Sequence, residues 1–186
     1  MNQVIQTILK RRSIRKYQNQ PVSKSDIETI LQAGIFAPTG ADAEPWHLTS
    51  ITNTAYLEEL NQKAKTAMSQ SGIERIVKMG TNPNYHIFFN APVVILISGE
   101  KILRKTGTHL SSLADCNQVI LYIQLSAASL CLGTCWIGLI RYLFEKDQSM
   151  SPEGYTPLYA LSLGYSSGPE AIRPRERREG TISWIE

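Results

Sequence analysis

The segment from Ser112 to Leu132 constrains this chain more than any other. It reads as one long helix that is apolar nearly all round. A helix without a polar face is either buried centrally or covered in a subunit contact. Its most apolar part, Val119 to Leu132, is 14 residues long and contains Gln124, Ser126 and Ser129. That is too short and too polar for a membrane span, which takes ~20 apolar residues. The rest of the chain must therefore help to cover it. With 42% hydrophobic and 19% charged residues, a single domain over 1–186 can do so.

The other elements can be placed around that helix. Pro92 to Ser98 is a β-branched run of the kind found in strands buried on both faces. Val4, Ile5, Ile8 and Leu9 predict a short opening helix. Ser23 is an N-cap with Asp26 three residues on, and Val22 is placed to staple the same end. Ile27, Ile30, Leu31, Gly34 and Ile35 then mark the clearest amphipathic helix, which stops at Pro38. Thr39 to Pro45 reads as a loop, His47 to Thr52 as a strand, and Tyr56 to Met68 as a helix. Ser69 to Asn90 is a partly helical excursion, and Gly99 to Thr108 a polar loop. Gly133 is a natural residue to end the long helix. Thr134 to Ile137 and Leu158 to Tyr165 read as strands, with a short helix from Tyr142 to Asp147. Strands and helices mix without regular βαβ spacing, which predicts an α+β sandwich.

Charge is the second unusual feature. The chain has 19 Lys+Arg against 16 Asp+Glu, a formal net charge of +3. Lys10, Arg11, Arg12, Arg15 and Lys16 form one cluster, and Arg173, Arg175, Arg177 and Arg178 another. These two short segments sum to +8, and the remainder to −5. A uniformly basic surface of the nucleic-acid-binding kind is excluded, and neither cluster interleaves with aromatics over a wide area. Solvated arginines and a discrete phosphate site stand level as explanations. A dianion is held by guanidinium forks, backbone N–H groups and a hydroxyl converging from separate segments. Arg11-Arg12-Ser13 offers two forks and a hydroxyl.

Other chemistry finds little support. Cys116, Cys131 and Cys135 make neither a disulfide framework nor a metal site; the chain reads as a reduced, cytoplasmic protein, with Cys131 and Cys135 as buried structural thiols. Neither a secretory signal nor a phosphate-binding glycine motif is present. Gly164-Tyr165-Ser166-Ser167-Gly168 matches GxSxG, but Pro169 follows where a nucleophile elbow needs a helix. His47, beside Trp46, reads as a packed side chain.

Several segments together resemble the FMN-dependent nitroreductase family. They are Arg11-Arg12-Ser13-Ile14-Arg15-Lys16-Tyr17, Pro21-Val22, Ile30-Leu31-Gln32-Ala33-Gly34, Ala37-Pro38-Thr39-Gly40 and Pro45-Trp46-His47. Gly133-Thr134-Cys135-Trp136-Ile137-Gly138 is similar to that family's second flavin-contacting segment. Arg173-Pro174 through Arg177, with Trp184, is similar to its C-terminal arm. The resemblance implies a nitroreductase-like α+β fold, with a mostly antiparallel central sheet flanked by helices, in an intertwined homodimer with FMN at the subunit interface. It implies that Arg11, Arg12, Ser13 and Arg15 hold the FMN, with Arg12 and Ser13 at the phosphate and ribityl chain and Arg15 at the pyrimidine end. Pro38, Thr39 and Gly40 would come from the partner subunit. Trp136, Ile137 and Gly138 would pass along the isoalloxazine, and Arg175 and Arg177 would close on the phosphate. The long apolar helix becomes the central dimer helix.

The activity so implied takes a hydride from NAD(P)H onto flavin N5 and passes the electrons to nitroaromatics, quinones or similar small oxidants, without a side-chain acid or base. A cation near N1 would stabilise reduced anionic FMN, and Arg15 is placed for it. An FMN carrier or sensor without turnover is the alternative from another class. Dehalogenases, thiazoline oxidases and flavin-fragmenting enzymes share the fold. Two positions depart from the family: Asp42 and Glu44 stand where Asn and Gln are common. A carboxylate accepts hydrogen bonds and cannot donate. Beside the flavin, Asp42 would lower the potential; it could instead pair with an arginine across the interface.

Overall fold

The computed structural model describes residues 2–101, 109–168 and 176–186, apart from the side chains of 109–111. Among these residues the order is α1 (Gln3–Lys10), α2 (Lys24–Ile35), β1 (Trp46–Ile51), α3 (Thr54–Ser69), α4 (Glu74–Thr81), β2 (Val93–Glu100), α5 (His109–Ser129), β3 (Gly133–Ile137), α6 (Arg141–Phe144) and β4 (Tyr155–Gly164). The strands form one sheet in the order β1-β2-β4-β3, and every pair is antiparallel. The expected α+β class and the four expected strands are all present. Gly99 and Glu100 extend β2 instead of opening a loop. Most of the rest of that expected loop, 102–108, lies outside the described residues.

Val93 to Ile97 of β2 is apolar at every position because both faces of the sheet are covered. Side chains alternate across a strand. Val93, Ile95 and Ile97 pack on one side with Ile30 of α2 and with Val119, Ile120 and Ile123 of α5. Val94 and Leu96 pack on the other with Leu60 and Met68 of α3 and with Leu143 and Phe144 of α6. α2 begins as its sequence predicts. Ser23 Oγ accepts from the Asp26 N–H at 3.0 Å, and Val22 and Ile27 are buried in one cluster.

The long helix resolves into two faces. Cys116, Val119, Ile120, Ile123 and Ala127 are fully buried against the sheet. On the outer face Leu113, Leu121 and Tyr122 each stay at least 37% exposed. α1 is a similar case: none of its residues is buried, and Val4, Ile5, Ile8 and Leu9 lie open to solvent.

Gly133 does not end α5. The turn is a Schellman motif in which Leu132 N donates to Ala127 O at 2.9 Å and Cys131 N to Ala128 O at 3.2 Å. The left-handed residue is Cys131, at φ 59°. Cys131 is therefore exposed, contrary to the expectation of a buried thiol, whereas Cys116 and Cys135 are buried. Gly133 is needed for close approach: a Cβ there would overlap the side chain of Ile14. Gly133→Ala should cost about 1–3 kcal/mol of stability, as overpacking does. Chemical unfolding checks this, and an unchanged midpoint would refute it.

Candidate functional site

The first basic cluster is held at the outer edge of the sheet. After α1 the chain runs extended beside β3, the edge strand. Ile14 N donates to Thr134 O at 2.9 Å, and Ser13 bridges Thr134 in parallel. Tyr17 bridges Ser166 beyond the end of β4. Its hydroxyl donates to Ile14 O at 2.8 Å and meets Ser162 Oγ at 2.8 Å. These bonds place Arg11, Arg12, Ser13 and Arg15 alongside Thr134 to Gly138, so two of the three expected segments do meet.

A cavity of about 400 Å³ opens at this junction, lined by Lys10, Arg11, Arg12, Gly133, Thr134 and Ser166 among others. Arg12 is partly committed to the backbone: its Nη1 donates to Leu9 O at 2.7 Å and to Arg11 O at 2.9 Å, closing the C-terminus of α1. Its Nε is buried with no acceptor. A buried donor left unpaired costs about 1–3 kcal/mol, and more when charged. Lys10, Arg11 and Arg12 together make the cavity basic, which suits an anionic ligand.

Arg15 extends toward α3 and α4. Its guanidinium lies 5.9 Å from the centroid of the Phe89 ring and also reaches the Cys135 thiol. Burial pushes the Cys135 thiol up, against the opposing pull of Arg15 and Arg11, so it stays neutral. Burial likewise raises Tyr85, whose ring stands edge-on to Phe89 at 6.5 Å. On β3, Trp136 is partly exposed and packs edge-on against Tyr159 at 4.8 Å. The Ile137 side chain is buried in the core, which leaves only its backbone for a ligand. Gly138 faces open space, where an added Cβ would touch nothing within 4 Å.

The third expected segment lies elsewhere. Pro38, Thr39, Gly40 and Asp42 precede β1, the opposite edge strand. Three strand spacings, roughly 14 Å, separate β1 from β3. One chain therefore does not bring this loop to the arginines. The loop has a demanding backbone: Ala41, Asp42 and Glu44 all have positive φ. Glu44 N donates to Thr39 Oγ1 at 3.5 Å, and Gly40 N to Asp115 Oδ1 at 3.4 Å. Asp115 is buried, and its other oxygen has no partner. The sequence reading missed Asp115 as the loop's anchor, although it is the one acid in α5. Phe89 and Tyr85 carried no local signal. Arg175 lies outside the described residues, and Arg177 is exposed.

The weaker candidates resolve as packing and turns. His47 packs against Tyr155 at 5.6 Å. Ser166 Oγ donates to Gly168 O at 3.3 Å in a turn. Among the described residues no group of His, Cys, Asp or Glu could hold a metal, and no helix is long and apolar enough to cross a membrane.

Comparison with known proteins bears on the same residues. The sequence profile described as the nitroreductase family matches residues 8–165. A Methanothermobacter thermautotrophicus protein whose name includes NADH dehydrogenase/NAD(P)H nitroreductase is 30% identical over 87% of this chain and 76% of its own. The FMN reductase (NADPH) of Bacillus subtilis is 23% identical over 94% of this chain and 70% of its own. A crystal structure of a nitroreductase with bound FMN from Bacteroides fragilis superposes with a TM-score of 0.87, at 29% identity and full coverage of both chains.

Proposed function

The chain belongs to the nitroreductase family, and from that premise we propose that it is an FMN-dependent NAD(P)H oxidoreductase acting on small oxidants such as nitroaromatics or quinones. The observation that carries the reading is the basic cavity between α1 and β3, where Lys10, Arg11 and Arg12 meet Gly133 and Thr134. The residues present fit an FMN. Arg11, Arg12 and Ser13 supply charge-assisted donors and a hydroxyl to a phosphate and ribityl chain. Arg15 supplies a cation for the pyrimidine end. Trp136, the Ile137 backbone and the open Gly138 leave room for a planar ring. Arg177, an exposed cation of the C-terminal segment, would close on the phosphate.

The remaining wall comes from a second copy. Pro38, Thr39, Gly40 and Asp42 sit at the far edge of the sheet, so they reach a flavin only across a homodimer interface. The exposed apolar outer face of α5 and the unburied α1 supply the surface for that interface. Asp115 holds the loop in shape through Gly40 N–H. Bound FMN would supply the redox chemistry, carrying two electrons from NAD(P)H to the oxidant. The chain's own part is to bind, orient and exclude water. Free thiols at Cys116, Cys131 and Cys135 suit a reducing, cytoplasmic setting.

The purified protein should take up FMN, turn yellow and bleach within seconds of adding NADH or NADPH, with colour returning when a quinone is added. Protein that takes up no FMN would overturn the reading. Bound FMN that never bleaches would make the chain a carrier.

A further inference from the structure

The structure singles out a polar clasp with no part in the site described so far. α3 presents Glu58, Asn61, Gln62 and Lys65 on one face, at the spacing of neighbouring helical turns. Glu58 Oε2 lies 3.3 Å from His86 Nε2, and its Oε1 accepts from Asn61 at 3.2 Å and Gln62 at 2.6 Å. Asn61 Oδ1 accepts from the Ile87 N–H at 3.0 Å, and Lys65 donates to Asn82 O at 2.8 Å. The other nitrogen of His86, Nδ1, accepts from the Phe88 N–H at 3.1 Å and the Asn90 N–H at 3.4 Å. Only an unprotonated Nδ1 can accept. The contacts therefore fix the tautomer: Nε2–H donates to Glu58 while Nδ1 closes the 86–90 turn.

That turn is costly without the clasp. Phe89 and Asn90 are consecutive non-glycine residues at φ 57° and 54°. Such residues persist where the surroundings over-determine them. The side chain set by this backbone is Phe89, and Arg15 rests against its ring.

We propose that His86, as a neutral imidazole, is a positioning residue for the flavin site: it locks the 86–90 turn so that Phe89 holds Arg15 at the pyrimidine end, and protonating it releases both. This rests on the reading of Arg15 as an FMN contact. The groups facing His86 are Glu58, which favours its protonation, and Lys65, which opposes it. Burial, with Lys65 acting in the same direction, outweighs Glu58 and holds its pKa below the ordinary histidine value. The sign follows from that direction. The unfolded chain binds a proton near pH 6.5 and the folded one only lower. The clasp is thus complete above about pH 6.5 and is lost as pH falls through the folded value.

The test uses the full chain and two substitutions. Asn at position 86 can place an acceptor where Nδ1 stands but does not titrate; Leu has no acceptor. Wild-type FMN affinity should fall about tenfold or more between pH 7.5 and 5 beyond what the phosphate's own titration at about pH 6 costs. His86→Asn should bind nearly as wild type at pH 7.5 and lose only the phosphate's share as pH falls. His86→Leu should bind about tenfold or more below wild type at pH 7.5 and lose only that same share. In the FMN-free protein, the Phe88 and Asn90 amides should lose hydrogen-exchange protection over the same interval in wild type, and at all pH values in His86→Leu. Protection unchanged in His86→Leu, or lost with falling pH in His86→Asn as in wild type, overturns the clasp. Amides that behave as expected while FMN affinity falls no more in wild type than in His86→Asn would keep the clasp but refute its link to Arg15. Failure to bind FMN under any condition sinks the functional reading instead, and the exchange data still decide the clasp.

Discussion

Replacing Leu121 with Glu should yield a monomer that binds FMN at least about 100-fold more weakly than the parent protein. Leu121 lies on the outer face of α5, 44% exposed, with Tyr122 beside it. In a symmetric dimer each substitution appears twice. Burying a leucine contributes about 1.5–3 kcal/mol, so removing two forfeits several kcal/mol. Two desolvated carboxylates then add a penalty of several kcal/mol each. The effect on FMN follows from topology. The loop with Pro38, Thr39, Gly40 and Asp42 precedes β1, while the arginines line β3, at opposite sheet edges. A monomer keeps only one wall of the site. Sedimentation analysis with flavin titration checks both statements. A variant that stays dimeric, or a monomer with parental FMN affinity, would show that the α5 face is not the interface that completes the site.

The second large effect is expected from Arg12→Ala combined with Arg177→Ala. A hydrogen bond to a charged group contributes about 1.5–3 kcal/mol, so losing two should weaken FMN by roughly 10² to 10⁴-fold. The salt dependence of the remaining affinity should shrink, because two fewer cations meet the phosphate. The single variants separate the causes. Arg12 also closes α1 through Leu9 O and Arg11 O, so Arg12→Ala lowers stability as well. Arg177 is exposed, so Arg177→Ala should leave stability unchanged while weakening FMN. Titration calorimetry over a salt series reads the result. Unchanged affinity in the double variant would mean that the two basic segments do not share a phosphate.

Local chemistry made much of the fold legible. The Ser23 cap, the Val22 staple and the 3.6 spacing of Ile27, Ile30 and Leu31 placed α2 to within a residue or two. The unbroken run in β2 required two covered faces, and it has them. Long-range packing was less visible. Gly133 follows a helix and looks like its terminator. Its purpose is set by Ile14, which is distant in sequence but packed against it. Cys131 takes the left-handed position because the Schellman bonds of α5 fall there, despite its side chain. Asp115 reads as an isolated acid until Gly40 N–H is found beside it. The His86 clasp joins Glu58 and Asn61 on α3 to a turn more than twenty residues later, with no local motif to announce it.

By itself, the sequence determined that Ser112 to Leu132 forms a helix apolar enough to need covering, centrally or in a subunit contact. It also determined that nine cations gather in two short segments, and its family resemblance named an acceptor for them. The tertiary structure alone decided which half of that helix faces the sheet and which half stays exposed. It alone placed Arg11 to Arg15 beside one edge strand and the Pro38 loop at the other. The division has one physical reason. Periodicity and charge are properties of neighbours along the chain, whereas strand order and the pairing of buried polar atoms depend on residues that meet only after folding.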